Sequence, residues 1–158
     1  MAEKIQSILT GVSGEYFVAA ELTRRGFITS ITLRNTKGID ILASNSDAKK
    51  SIGIQVKTNY NDRKAWLLNR KAEGYFADNL FYVFVNLKGI GGLNFRPDYY
   101  IVPSRVVAEY VKTSHEKWLR DPGKRGQAHK DNPMRMFWEE KDQYKEKWDL
   151  FGMSTPNH

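Results

Sequence analysis

The 158-residue chain contains no cysteine, which excludes disulfide frameworks, thiolate zinc centres, iron–sulfur clusters and cysteine nucleophiles, and suits a reducing cytosol. Histidine is scarce too. His115, His129 and His158 show no metal-binding spacing and no His-Glu-x-x-His pair, so they are expected in loops or in packing. No apolar run approaches the roughly 18 residues of a membrane span, and "MAEKIQSILTGVSGE" lacks a secretory apolar block, so no membrane partner and a cytoplasmic location are expected. The glycine-rich "KGIGGLNFRPD" lacks the Gly-Lys-Ser/Thr ending of a phosphate loop, which leaves its glycines a turn. Acidic residues are the minority, 18 against 25 Lys and Arg. The net charge of +7 favours phosphate polyanions as partners.

What is present is enough to fold. Hydrophobic residues make up 41%, with four Trp, eight Tyr and eight Phe. The length suits one domain over 1–158, with a core at about 5–114 and a carboxyl-terminal loop and helix at 120–151. Apolar spacing predicts a helix over 3–25, stopped at Gly26. Strands are expected at 27–33, at the two halves of a hairpin over 38–58, at 80–87 and at 99–102. The stretch 61–78 reads as loop and short helix. Pro103 and Ser104 open a second long helix, with Ser104 as its cap, and 137–151 reads as a closing helix anchored by Phe137, Trp138, Tyr144 and Trp148. The elements predict an α/β fold with a mixed sheet flanked by helices.

The hairpin carries the chemistry. Strand alternation places Gly38, Asp40 and Leu42 on one side, and Gly53, Gln55 and Lys57 on the matching side of the second strand. Antiparallel pairing would set Asp40 beside Gln55 and Lys57, so that an acid, an amide and an amine converge. A solvated edge hairpin is the plainer reading of that pattern alone. Glu15 adds weight to the other, because it falls inside the helical stripe Ile8, Val12, Ala19, Leu22, and a carboxylate there needs a cation or a metal. Gly11 and Gly14 would let this helix approach a sheet closely.

The segments "GEYFVAAEL", "KGIDIL" and "IGIQVKT" together resemble the PD-(D/E)xK nuclease superfamily, across roughly residues 5 to 87. The resemblance implies a restriction endonuclease-like core with αβββαβ order. It sets Asp40 at the first acid, Gln55-Val56-Lys57 at the (D/E)xK element with Gln replacing the acid, and Glu15 at the first-helix glutamate of Holliday-junction resolvases. The Gln-x-Lys form is similar to that of methylation-dependent restriction endonucleases. As the resemblance implies, Asp40, Gln55, the Val56 carbonyl and Glu15 would hold Mg²⁺, or Mn²⁺ in its place, while Lys57 assists the attacking water in DNA phosphodiester hydrolysis. Pairing of two copies is a frequent arrangement in such nucleases. Arg34, Lys37, Lys49, Lys50, Arg63 and Lys64 flank these positions and are expected to track phosphates. The rival is a catalytically inactive nuclease-fold module that binds nucleic acid or a protein partner, because Gln55 brings no charge to a metal.

Overall fold

The structure is a computed structural model that describes residues 2–33, 38–61, 63–88 and 95–153, with side chains from residue 6 onward. Arg34, Lys37 and His158 lie outside the described residues. Helix α1 spans Ala2–Arg24. It ends in a Schellman motif: Phe27 N–H donates to the Leu22 carbonyl at 3.1 Å, Gly26 N–H donates to the Thr23 carbonyl at 2.9 Å, and Gly26 takes a φ of 86°. Strands β1 (Ile28–Ile31), β2 (Ile41–Ser44) and β3 (Ser51–Asn59) then form an antiparallel meander.

After β3 the chain makes β4 (Ala65–Asn69) and a 3-10 turn (Arg70–Gly74), and β5 (Leu80–Asn86) returns parallel to β3. Strand β6 (Asp98–Pro103) pairs antiparallel with β5 and leads directly into α2 (Ser104–Arg120). The main sheet therefore runs β1-β2-β3-β5-β6 and is mixed. Every residue of β5 is buried, as an interior strand covered on both faces requires.

Three places differ from the sequence expectations, the first being β4, a strand inside the stretch 61–78 that reads as loop and short helix. Residues 137–151 do not form a helix. Strand β7 (Met134–Trp138) ends at their start and a 3-10 turn (Trp148–Phe151) closes them, and β7 pairs with β4 as a separate two-stranded sheet. The alternation explains it. Trp66, Leu68, Arg135 and Phe137 point inward while Leu67, Met134 and Trp138 remain exposed, which is the period of strands and not of a helix. The buried Arg135 guanidinium donates to Glu73 and to the carbonyls of Asn132 and Met134. Ser104 does not cap α2 either. Its hydroxyl donates to the Ala77 carbonyl at 3.0 Å and accepts from Ala77 N–H at 3.1 Å, tying the loop before β5 to the start of the helix.

Two cores flank the sheet. One face holds Ile41, Ile54, Val56, Val83 and Ile101 against Val18 and Leu22 of α1 and against Trp148 and Phe151. The other holds Tyr82, Phe84, Tyr100 and Val102 against Trp66, Leu68, Phe137 and the α2 residues Val107 and Val111. The Trp66 indole N–H donates to the Val85 carbonyl at 2.9 Å, which fixes β4 over β5 without leaving a buried donor unpaired.

Candidate active site

Strand β2 pairs with β3 only from Ser51 to Ile54, so the β2 side of β3 is open beyond that point. Asp40 occupies this opening. Its N–H donates to the Ile54 carbonyl at 2.8 Å and its carbonyl accepts from Thr32 N–H at 2.9 Å, so its backbone is held on both sides. Its side chain takes over where β2 has ended, with Oδ2 accepting from Val56 N–H at 2.7 Å. Thr32 steadies the approach by donating its hydroxyl to the Ile39 carbonyl at 2.6 Å.

Burial pushes the Asp40 carboxyl above its ordinary value of 3.8, and the Val56 N–H and the Lys57 ammonium oppose that rise. A carboxylate held partly out of water beside one amine is therefore poised to gain from a further cation.

Helix α1 approaches from the apolar side of β3. Gly14 is the contact: a Cβ there would lie 1.8 Å from Thr58 Oγ1 and 2.9 Å from Thr58 Cβ. Gly11 makes no such approach, since nothing lies within 4 Å of its would-be Cβ. The buried line of the helix runs through Gly14, Val18 and Leu22, and Ile8 is exposed. Glu15 sits at the margin of that line, half-buried, and lines one cavity of about 330 Å³ with Asp40, Gly11 and Thr32.

Gln55 and Lys57 face the other side of β3. They line a cavity of about 530 Å³ with Gly38, Lys71, Tyr75 and Tyr82. Glu15 and Gln55 thus reach the open strand edge from opposite faces, with Asp40 between them. Asp40 stays close enough to Lys57 to feel its charge, while Glu15 comes from the other face because α1 packs on the Val56 and Thr58 side. Among the described residues no cluster of three or more His, Cys, Asp and Glu stands in metal-binding proximity.

Of the basic residues expected around the site, Lys49 and Lys50 lie in the hairpin turn at the far end of β3, roughly 20 Å along the strand from Lys57. There Lys49 pairs with Asp47 at 3.2 Å, and Lys50 donates to the Gly152 carbonyl at 3.1 Å. Lys64 is paired with Asp142 at 2.7 Å, and Arg63 is exposed just past β3. Lys49 and Lys50 are thus carried away from Lys57 by the direction in which β3 runs, while Arg63 and Lys64 follow the end of the strand that bears Lys57.

Tyr75 was given no role from the sequence. It follows the 3-10 turn in the crossover, and its ring covers Gly38, whose φ of 70° is open to glycine and where a Cβ would meet the ring at 2.5 Å. Burial raises the Tyr75 hydroxyl pKa, and the Asp40 charge raises it further. No local pattern marks such a residue, since the crossover alone brings it beside Asp40.

No protein-family model matches this chain, and no curated protein matches it in sequence. A bacterial homing endonuclease superposes on it with a TM-score of 0.50 at 13% identity, covering 93% of this chain and 87% of the other. The chain shares the fold of that protein. A Holliday junction resolvase from Archaeoglobus fulgidus is also similar, with a TM-score of 0.47 at 12% identity over 91% of this chain and 97% of that one. Within this fold the expected αβββαβ order is present with one substitution: β4 and a 3-10 turn stand in the crossover where a helix was expected. Among the described residues no helix is long and apolar enough to cross a membrane.

Proposed function

We propose that this protein is a metal-dependent nuclease that hydrolyses DNA phosphodiester bonds at the open edge of β3. The supporting observation is Asp40, whose carboxylate is fixed by the Val56 N–H between the cavity containing Glu15 and the cavity containing Gln55 and Lys57. The donor set suits a hard divalent ion such as Mg²⁺ or Mn²⁺, which takes oxygen ligands and often needs only one or two protein carboxylates, with water and substrate phosphate completing the shell. Asp40 and Glu15 would supply the charge, and the Gln55 amide oxygen and the Val56 carbonyl the neutral donors. Such an ion lowers the pKa of bound water and offsets charge on the phosphoryl oxygens. Lys57 holds the attacking water and a non-bridging oxygen in place, and the burial of Asp40 keeps its charge poorly compensated until substrate and ion arrive.

The test is cleavage of plasmid, linear and branched DNA with Mg²⁺ or Mn²⁺, with a chelator control. Asp40→Asn and Lys57→Ala are each expected to lower the rate by about 10²–10³. Cutting that persists in both variants eliminates the assignment.

Gln55 favours a second reading, a nuclease-fold module that binds nucleic acid or a protein partner without cutting, because an amide contributes no charge where a carboxylate would. In that case DNA affinity is unchanged by Asp40→Asn and no divalent ion binds.

A further inference from the structure

The outer face of the β4–β7 sheet carries an open groove of about 350 Å³, within the range of small-ligand pockets. Its walls are unusually apolar for a surface: Leu67 is 55% exposed, Met134 57%, Trp138 42% and Trp118 38%. The Trp118 ring is held between His129, at 4.0 Å between ring centres, and His115, at 5.3 Å. His115 is in turn fixed by Asp131, 2.8 Å from its Nε2, and Asp131 pairs with Arg70 at 2.7 Å. That wall is preorganised. Among the described residues no ring stacks on Trp138, which leaves an aromatic surface on an otherwise rigid strand.

Charge decides what fits there. Between residues 104 and 135 the chain has eight Lys and Arg against four Asp and Glu. Asp131 is already paired with Arg70, and Glu73, beside the groove, with Arg135. Lys112, Lys117, Arg120, Lys124, Arg125 and Lys130 are exposed and enter no ion pair among the described residues, against three acids in the same state, Glu109, Glu116 and Asp121, so the segment keeps an excess of positive charge. An apolar, aromatic groove walled partly by α2, whose segment carries a net excess of cations, matches a single-stranded nucleic acid, whose bases offer flat apolar faces on an anionic chain. The groove also adjoins the candidate site. Leu67 faces it, while Leu68 and Asn69 line the cavity that holds Gln55 and Lys57, so only β4 separates the two.

We propose that this groove binds an unpaired base of a single-stranded segment next to the cleaved position, stacked on Trp138, with the cations of α2 and the following loop tracking its phosphates. The proposal rests on the nucleic-acid substrate argued above, yet it is tested without cleavage. Fluorescence anisotropy in chelator compares a short labelled oligothymidylate with an abasic oligomer of equal length and charge. The thymidylate is expected to bind about ten-fold tighter. Trp138→Ala and Leu67→Glu, both at exposed positions, are expected to shrink that preference with the melting temperature unchanged. Equal affinity of the unaltered protein for the two oligomers overturns the proposal, as does a preference that survives in both variants. A dimer that becomes monomeric in Trp138→Ala overturns it as well and assigns the groove to a second copy of the chain. DNA cutting without base preference removes this proposal alone, whereas base preference without cutting removes the nuclease reading alone.

Discussion

Gly11→Ala and Gly14→Ala, one helical turn apart, should change stability in opposite directions. In a helix interior, Gly to Ala gains about 1 kcal/mol from backbone entropy. At Gly11 nothing lies within 4 Å of the added Cβ, so the gain is retained. For a chain of this length about 1 kcal/mol corresponds to a rise in melting temperature of about 2–4 °C. At Gly14 the same methyl would overlap Thr58, with Oγ1 at 1.8 Å and the less adaptable Cβ at 2.9 Å. Overpacking of this severity costs about 3 kcal/mol, leaving a net loss of about 2 kcal/mol and a fall of about 4–8 °C. Thr58→Ala should restore only part of the loss, because its Cβ stays in the way, whereas Thr58→Gly clears the space. Thermal unfolding followed by far-ultraviolet circular dichroism measures all of these. A Gly14→Ala protein as stable as the parent would refute the close approach of α1 to β3, and with it the placement of Glu15 beside Asp40.

Three further outcomes follow from the site and its supports. Asp40→Asn keeps an acceptor for Val56 N–H and removes a charge whose folded pKa is raised, so it should slow cutting as stated above while raising stability at neutral pH. Because a raised carboxyl costs stability as pH climbs through its folded value, the gain should shrink to nothing below about pH 3.8, which melting curves across pH would show. Asp142 is the opposite case: its bond from Lys64 lowers its pKa and Tyr100 donates to it at 3.1 Å, so it stabilises the fold above 3.8. That contribution fades as pH falls through the lowered value, and Asp142→Asn should melt lower than the parent at pH 7 and converge with it in acid. Gly38→Ala combines a left-handed φ with a collision with the Tyr75 ring, and it should lower both the melting temperature and the cutting rate. A rate unchanged in Gly38→Ala would detach Tyr75 and its turn from the site.

The local elements were legible because their signals are local. Gly26 ends α1 as expected, the meander pairs as its alternation implies, and the apolar run at 80–87 forms an interior strand buried on both faces. What escaped the sequence depends on distant partners. Trp66 and Leu68 read as loop until β7 supplies Phe137 and Arg135 across the ladder, and the aromatic spacing from Phe137 to Trp148 mimics a helix. The stripe through Ile8 misplaced the buried face of α1 because the decisive contact is made by a residue without a side chain, Gly14. Asp40 and its hydrogen bond to β3 were within reach of register arguments. The division of Glu15 and Gln55 between two faces was not, since it depends on which side of the sheet the helix docks.

Calorimetric titration with Mn²⁺ bears most directly on whether Asp40 anchors a divalent ion between those faces. The parent protein should bind the ion, and the heat should vanish in Asp40→Asn and weaken in Glu15→Gln. Absence of binding in the parent, or binding that both variants retain, would contradict the account.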